Sequence, residues 1–289
     1  MKKKRVFIII SVIVVLFFLS VIIRIMMVGT SSIGQKVAVL DISGIISKSD
    51  ATIKLIHAYR DDPSVKALIL RINTPGGSVA PVQEIHRELT KLEKPIVASM
   101  GGTAASGGYY IASAADTIVA NPGTLTGSIG VIMQFTKMKG LYEKIGLEQQ
   151  VIKSGQFKDT GSIFRDLTEE EIDVLQGTVD DVYNQFVDAI FKSREEHLTR
   201  DEIVQLADGR IFSGKQALTH KLVDKLGNLQ DAIQIAGKLG NIEGTPKVVR
   251  KQRKSSLLEQ LIGIKHNPQL DEILNFPGVT FRYELSLGN

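Results

Sequence analysis

Short, almost purely apolar runs recur along the first half of the chain and alternate with segments of a different period. Val37-Ala38-Val39-Leu40-Asp41-Ile42, Ala67-Leu68-Ile69-Leu70-Arg71-Ile72, Pro95-Ile96-Val97-Ala98-Ser99-Met100 and Asp116-Thr117-Ile118-Val119-Ala120 read as strands. Between them, residues 52–61 read as a helix, and Val79, Val82, Ile85, Leu89 and Leu92 repeat at intervals of three and four, one face of another. Strands this apolar, separated by helices, predict an α/β fold whose parallel sheet is covered on both faces. The turns fit: Ser43-Gly44, Asn73-Thr74-Pro75-Gly76-Gly77 and Asn121-Pro122-Gly123 each close a strand.

Gly130-Val131-Ile132-Met133 and Gln150-Val151-Ile152 read as further short strands. Beyond residue 158 helices take over. Thr168, followed by acids at Glu169, Glu170 and Glu171, predicts an N-cap and a long helix to about Glu196. Asp208-Gly209-Arg210 predicts a turn before a short helix, and residues 245–255, polar and basic, read as a solvated linker. At the end, Val279, Phe281, Tyr283, Leu285 and Leu287 alternate as a strand does. Such a strand needs a partner, which a peptide groove of its own or of a neighbouring chain would supply.

The amino terminus has a different logic. Lys2-Lys3-Lys4-Arg5 precedes 18 residues, Val6 to Ile23, without a charge. As a helix that run spans roughly 27 Å, and about 35 Å if continued to Val28, against a bilayer core of ~30 Å. A cleaved signal would be shorter and would end in small residues rather than Met26-Met27-Val28. The expectation is one transmembrane helix over residues 6–28, in contact with the lipid bilayer. The basic cluster would stay inside and residues 29–289 outside. The net charge of +4 follows from this end: residues 1–30 carry five cations and no acid, leaving the rest at −1. A basic balance of that origin gives no reason to expect nucleic acid. No cysteine is present, which excludes disulfides, zinc thiolates and a cysteine nucleophile.

Candidate chemistry centres on Ser106, in Thr103-Ala104-Ala105-Ser106-Gly107-Gly108-Tyr109-Tyr110. A serine among small residues at a strand-to-helix turn is open to a substrate backbone, and the helix start directs N–H groups at a developing oxyanion. Its activating base has two readings. Asp166 or Asp208 with His220 would complete a hydrolase-type triad, although Ala104 stands where the G-x-S-x-G elbow has glycine. Alternatively Lys158, in Ser154-Gly155-Gln156-Phe157-Lys158-Asp159, serves as base. A catalytic lysine must be deprotonated near neutrality, a destabilisation of its ammonium form by about 4 kcal/mol that burial can supply.

Taken together, Asn73–Gly77, Ala104–Tyr110, Thr126-Gly127-Ser128-Ile129-Gly130-Val131, Ser154–Asp159, Ala207-Asp208-Gly209-Arg210-Ile211-Phe212-Ser213-Gly214 and Leu222-Val223-Asp224 resemble the signal peptide peptidase A family. These are the membrane-anchored serine–lysine peptidases, family S49, here in the short bacterial form. The resemblance covers roughly residues 36–240. It implies a crotonase/caseinolytic-protease-like fold of repeated ββα units on a parallel sheet. With the amino-terminal and tail readings above, the chain then divides into residues 1–28 (basic cluster and anchor), 29–36 (linker), 37–240 (peptidase) and 241–289 (basic linker and tail). By resemblance Ser106 is the nucleophile, Lys158 the general base and Ser128 the hydroxyl that orients the lysine. Gly107, Gly76 and Gly77 shape the oxyanion hole. The implied protein is a homo-oligomeric ring or dome on the outer side of a bacterial cytoplasmic membrane, with serine and lysine meeting across subunits. Its implied substrates are remnant signal peptides and other short hydrophobic peptides, cleaved without cofactor or metal. A non-catalytic peptide-binding scaffold would need the glycines but not the lysine. Thr219-His220-Lys221-Leu222 departs from the family, which often has glycine before the leucine, and the tail beyond about residue 255 aligns with nothing in it.

Overall fold

A computed structural model describes residues 14–20, 34–251 and 281–284. The chain forms two units, Met1–Gln35 and Lys36–Asn289. In the first, residues 14–20 are helical. Among the described residues no helix is long and apolar enough to cross a membrane, and most of the expected span over residues 6–28 lies outside them.

The second unit is built on an eight-stranded, largely parallel sheet. Its main path runs β10 (Lys247–Val249), β1 (Lys36–Ser43), β2 (Val65–Thr74), β4 (Ile96–Ala105), β5 (Thr117–Ala120) and β9 (Lys225–Leu226). All neighbours on that path are parallel. The period-two side-chain alternation splits the strands between two cores. Ala38, Leu40, Ile42, Leu68, Leu70, Ile72, Ala98 and Met100 face a large core. It is closed by α1 (Asp50–Arg60), α2 (Val79–Leu89), α3 (Gly107–Ala112) and α5 (Glu169–Arg194). Val37, Val39, Ala67, Ile69, Val97 and Val119 face a smaller one beneath α8 (Leu229–Leu239). The apolar runs are therefore continuous because both faces are covered. Further along the strands that second face turns polar: Asp41, Arg71 and Ser99 lie side by side in register. There Asp41 pairs with Arg250 and Arg71 donates to Ser99 Oγ at 3.0 Å.

Two corrections to the sequence reading are local. Gln150–Ile152 forms no strand; residues 145–168, between α4 (Lys139–Lys144) and α5, carry neither helix nor strand. Apolar composition alone does not make a strand without an open sheet edge, and Ile152 is 95% exposed. Conversely, part of the stretch read as a linker, Lys247–Val249, forms β10 because β1 offers it an edge.

The expected long helix is α5, and Thr168 caps it in a reciprocal box with Glu171. Arg194, at its end and 3% exposed, donates to Asp224 Oδ1 at 2.5 Å, while Asp224 Oδ2 accepts from the Ile118 N–H at 2.6 Å. Tyr109 Oη, inside α3, donates to the Leu222 carbonyl at 2.7 Å. Burial pushes the Tyr109 phenol up to about 12, so it remains a donor. The 222–224 turn is thus tied to α3, α5 and β5 together.

Candidate active site

The centre of the site is the end of β4. Its first half pairs with β5, and its second half, Thr103 to Ala105, pairs instead with β6 (Leu125–Gly127). β8 (Ile211–Ser213) joins β6 from the other side, antiparallel. The parallel ends of β4 and β6 finish alike: the next residue in each is a serine in the left-handed region, Ser106 at φ 52° and Ser128 at φ 48°. At such a φ a residue with a Cβ costs about 1–3 kcal/mol unless its surroundings enforce it. Here they do. The Ser106 N–H donates to the Gly127 carbonyl at 2.8 Å, and its own carbonyl accepts from the Tyr110 N–H at 2.9 Å as α3 begins. Thr126 Oγ1 donates to the Ala104 carbonyl at 2.7 Å, and the Ser128 N–H to the Arg210 carbonyl at 2.8 Å. Ser106 is 1% exposed, and its Oγ has no hydrogen-bond partner among the described residues.

α3 sits tight on this platform. A Cβ on Gly108 would lie 2.7 Å from Thr74 Cγ2, so only glycine lets the helix approach β2 this closely. Tyr110 packs edge-on against His86 at 4.9 Å and on Phe186 at 4.9 Å. The Tyr109-Tyr110 pair serves packing, with Tyr109 Oη also bound to the Leu222 carbonyl. Beside α3 runs β3 (Gly76–Ser78). A Cβ on Gly77 would lie 2.2 Å from the Ile46 carbonyl oxygen, which explains the glycine there. The Ile46 N–H donates to the Gly76 carbonyl at 2.9 Å and the Ser78 N–H to the Ile46 carbonyl at 2.8 Å. Successive residues of a strand direct their backbone groups to opposite sides, so Gly77 presents its own away from Ile46. The Gly76 N–H is already held by Thr74 Oγ1 at 3.1 Å. Gly77 faces a lane between β3 and β7 (Ile132–Met133), and in that lane lies β11 (Phe281–Glu284), antiparallel to both. Tyr283 stands opposite Gly77, and β11 rests against α2 and α3. The alternating tail has its partner strands.

Ser106, Ser128, Gly107, Gly76 and Gly77 are thus assembled at one place by β3, β4, β6 and α3. Lys158 stands apart. It lies in a run of turns, where its N–H donates to the Gly155 carbonyl at 3.2 Å. Its side chain is exposed, and no hydrogen bond joins it to Ser106 Oγ within the chain. The histidine triad is not assembled either. His220 packs on Phe212 at 5.1 Å, Asp208 accepts from Arg210 Nε at 2.7 Å and Asp166 from Lys137 at 2.7 Å. The Arg210 hydrogen bond takes the Asp208 carboxyl down to about 2. Half-buried His86, held down at about 4 by desolvation and then by Lys192 and Arg87, is a neutral packing group. No cluster of three or more histidine or carboxylate side chains suited to a metal ion occurs among the described residues. Two contributors were missed in the sequence. Thr74 looked like part of a plain turn, and Ile46, which braces Gly77, carried no signal.

A buried, strained serine at a strand-to-helix turn, on a helix that touches both β3 and β11, is an arrangement open to nucleophilic chemistry, and the class of protein comes from its relatives. Residues 88–243 match peptidase family S49, and residues 25–140 match the NfeD1b N-terminal domain. A Synechocystis sp. protein carried as a candidate protease is 42% identical over 217 residues, 74% of this chain and 77% of its own. A candidate signal peptide peptidase SppA of Enterococcus faecium is 40% identical over 181 residues, 62% of this chain and 52% of its own. Protease 4 of Haemophilus influenzae is 34% identical over 222 residues, 73% of this chain but 36% of its own length. The chain belongs to peptidase family S49 and is a signal peptide peptidase A-like serine peptidase.

The strain at Ser106 has a measurable consequence. Glycine takes φ 52° freely, so Ser106→Gly should be about 1 kcal/mol more stable than Ser106→Ala, after allowing for glycine's extra unfolded-state entropy. Urea unfolding of the two inactive variants measures this; a less stable glycine variant would show that the backbone there is unstrained.

Proposed function

We propose that the chain is a membrane-anchored endopeptidase with a Ser106–Lys158 dyad. The observation that carries this reading is the strained, buried, unpartnered Ser106 hydroxyl at the start of α3, the helix that touches β3 and β11. β11 illustrates how an extended peptide would lie there: antiparallel to β3, with its backbone along Gly77. Neutral Lys158, oriented by Ser128, takes the Ser106 proton as Oγ attacks the substrate carbonyl. The N–H groups of Gly107 and Gly77 hold the oxyanion, and Gly76, with its N–H on Thr74, supports that turn. The lysine returns the proton to the leaving amine, and water releases the acyl-enzyme. The substrates proposed are short hydrophobic peptides, chiefly signal-peptide remnants, because an apolar peptide gains most in a lane walled by α2 and α3.

Because Lys158 is exposed within the chain, the base comes from a neighbouring copy in a ring-like homo-oligomer. Its arm is suited to a protein contact: Leu141, Ile145, Leu147, Val151, Ile152 and Phe157 are all exposed. The same exposure is what would favour the rival reading, a non-catalytic peptide-binding scaffold. The anchor over residues 6–28 would keep the assembly on the outer face of a bacterial cytoplasmic membrane.

Three experiments test these parts. On a fluorogenic hydrophobic peptide, the full chain in detergent micelles should cut, with a rate rising as pH increases through the titration of the base. Ser106→Ala and Lys158→Ala should both be inactive; full activity in Lys158→Ala would remove the dyad. Mixing the two inactive variants under subunit exchange should restore activity, and mixed oligomers with none would argue against sites shared between copies. Alkaline carbonate extraction should leave the full chain in the membrane pellet; its release to the supernatant would sink the anchor.

A further inference from the structure

Lys158 lies in a segment with no helix or strand of its own, yet a base must be placed to within a fraction of an ångström. The residue that meets this need is Arg165. Its Nε donates to Asp159 Oδ2 at 3.0 Å and its Nη2 to Asp159 Oδ1 at 2.8 Å, a two-pronged grip on the side chain next to Lys158. Nη2 also reaches the Asp159 main-chain carbonyl at 3.3 Å. The same guanidinium donates to Glu171 Oε2 at 2.8 Å and Oε1 at 2.5 Å, and to the Asp166 carbonyl at 3.0 Å. Glu171 is 1% exposed in the first turn of α5. Thr160 Oγ1 joins it at 2.9 Å, and Lys153 Nζ closes the far side of the turn on Asp159 Oδ1 at 2.5 Å.

Capping the helix does not require this arginine. The Thr168 N–H donates to Glu171 Oε2 at 2.9 Å and the Glu171 N–H to Thr168 Oγ1 at 3.2 Å, which completes the box without it. What Arg165 adds is a rigid link from the start of α5 to the backbone that follows Lys158. We propose that Arg165 is a positioning residue for the catalytic base, holding the Lys158 turn at the angle and height at which the lysine meets Ser106. The proposal rests on Lys158 being that base. Lysine in place of Arg165 would not suffice, since one ammonium cannot grip two carboxylates edge-on.

The clamp does not titrate where a peptidase is assayed. Arg165 and then Lys153 hold the Asp159 carboxyl well below the usual range, and Arg165 and then the Thr168 N–H take Glu171 down to about 2. Both carboxylates stay ionised above pH ~5, so a moved pH–rate limb reports the lysine and not the clamp.

The test compares wild type, Arg165→Met, Arg165→Lys, Asp159→Asn and Lys158→Ala as full chains in detergent micelles on the fluorogenic peptide, with thermal melts as a check on folding. Arg165→Met should lower kcat by about 10- to 100-fold, with KM within about threefold because the lane of β3 and β7 is untouched. The rising limb of its pH–rate profile should shift from that of wild type. Arg165→Lys should recover only a minor part. Asp159→Asn, which leaves the Arg165–Glu171 contact in place, should move kcat and the limb in the same direction, less far. If Lys158→Ala is inactive while folded Arg165→Met and Asp159→Asn keep the wild-type kcat and limb, the dyad stands and the positioning role falls. If Lys158→Ala is active, the dyad fails and this proposal fails with it. If Arg165→Met does not fold, Asp159→Asn decides alone by the same criterion.

Discussion

The site depends on where β4 stops. Its second half leaves β5 for β6, and the two strands end side by side with a serine after each in the left-handed region. That backbone state would relax if the chain were free. It persists because the Gly127 carbonyl holds the Ser106 N–H and α3 begins at once, pressed on Thr74 through Gly108. Ser106 is therefore placed by backbone hydrogen bonds and close packing, with no hydrogen-bond partner at its hydroxyl among the described residues. Everything around it follows: β3 lies along α3, Gly77 is free to face the lane because Gly76 and Ser78 are engaged by Ile46, and β11 fills that lane as an extended chain.

The two halves of the proposed dyad are built by different physics. Ser106 belongs to the sheet and is buried beneath helices that themselves are locked, through Tyr109, Arg194 and Asp224, to the 222–224 turn. Lys158 belongs to an exposed arm held by ion pairs and turns, with apolar side chains in solvent. Such an arm is better suited to meeting another molecule than to closing on its own core.

Much of this was legible in the residues. The strands β1, β2, β4 and β5 stand out as apolar runs closed by turns, α2 stands out by its three- and four-residue repeat, and Thr168 with Glu171 marks the start of α5 by its chemistry. Ser106 stands out because small residues flank it at a strand–helix junction. Less legible were elements whose existence depends on a distant edge. Lys247–Val249 is a strand only because β1 is open there, and Gln150–Ile152, equally apolar, is not one because nothing is. Arg165 gave no signal at all, since its two carboxylates become a clamp only when the turns after Lys158 fold back on α5.

By itself the sequence determined the covered parallel sheet, the turn that carries Ser106 and the family, since these follow from apolar runs alternating with helical segments and from motifs of adjacent residues. Only the tertiary structure decided that Ser106 and Ser128 follow the ends of neighbouring strands, both at positive φ. It alone decided that Gly77 rather than Gly76 faces the lane, that Phe281–Glu284 lies in it, and that Lys158 is exposed in a run of turns. The reason is that each of these is a pairing between segments far apart in the chain. Which edge is open, and which N–H is already taken, is fixed only when all the strands are in place.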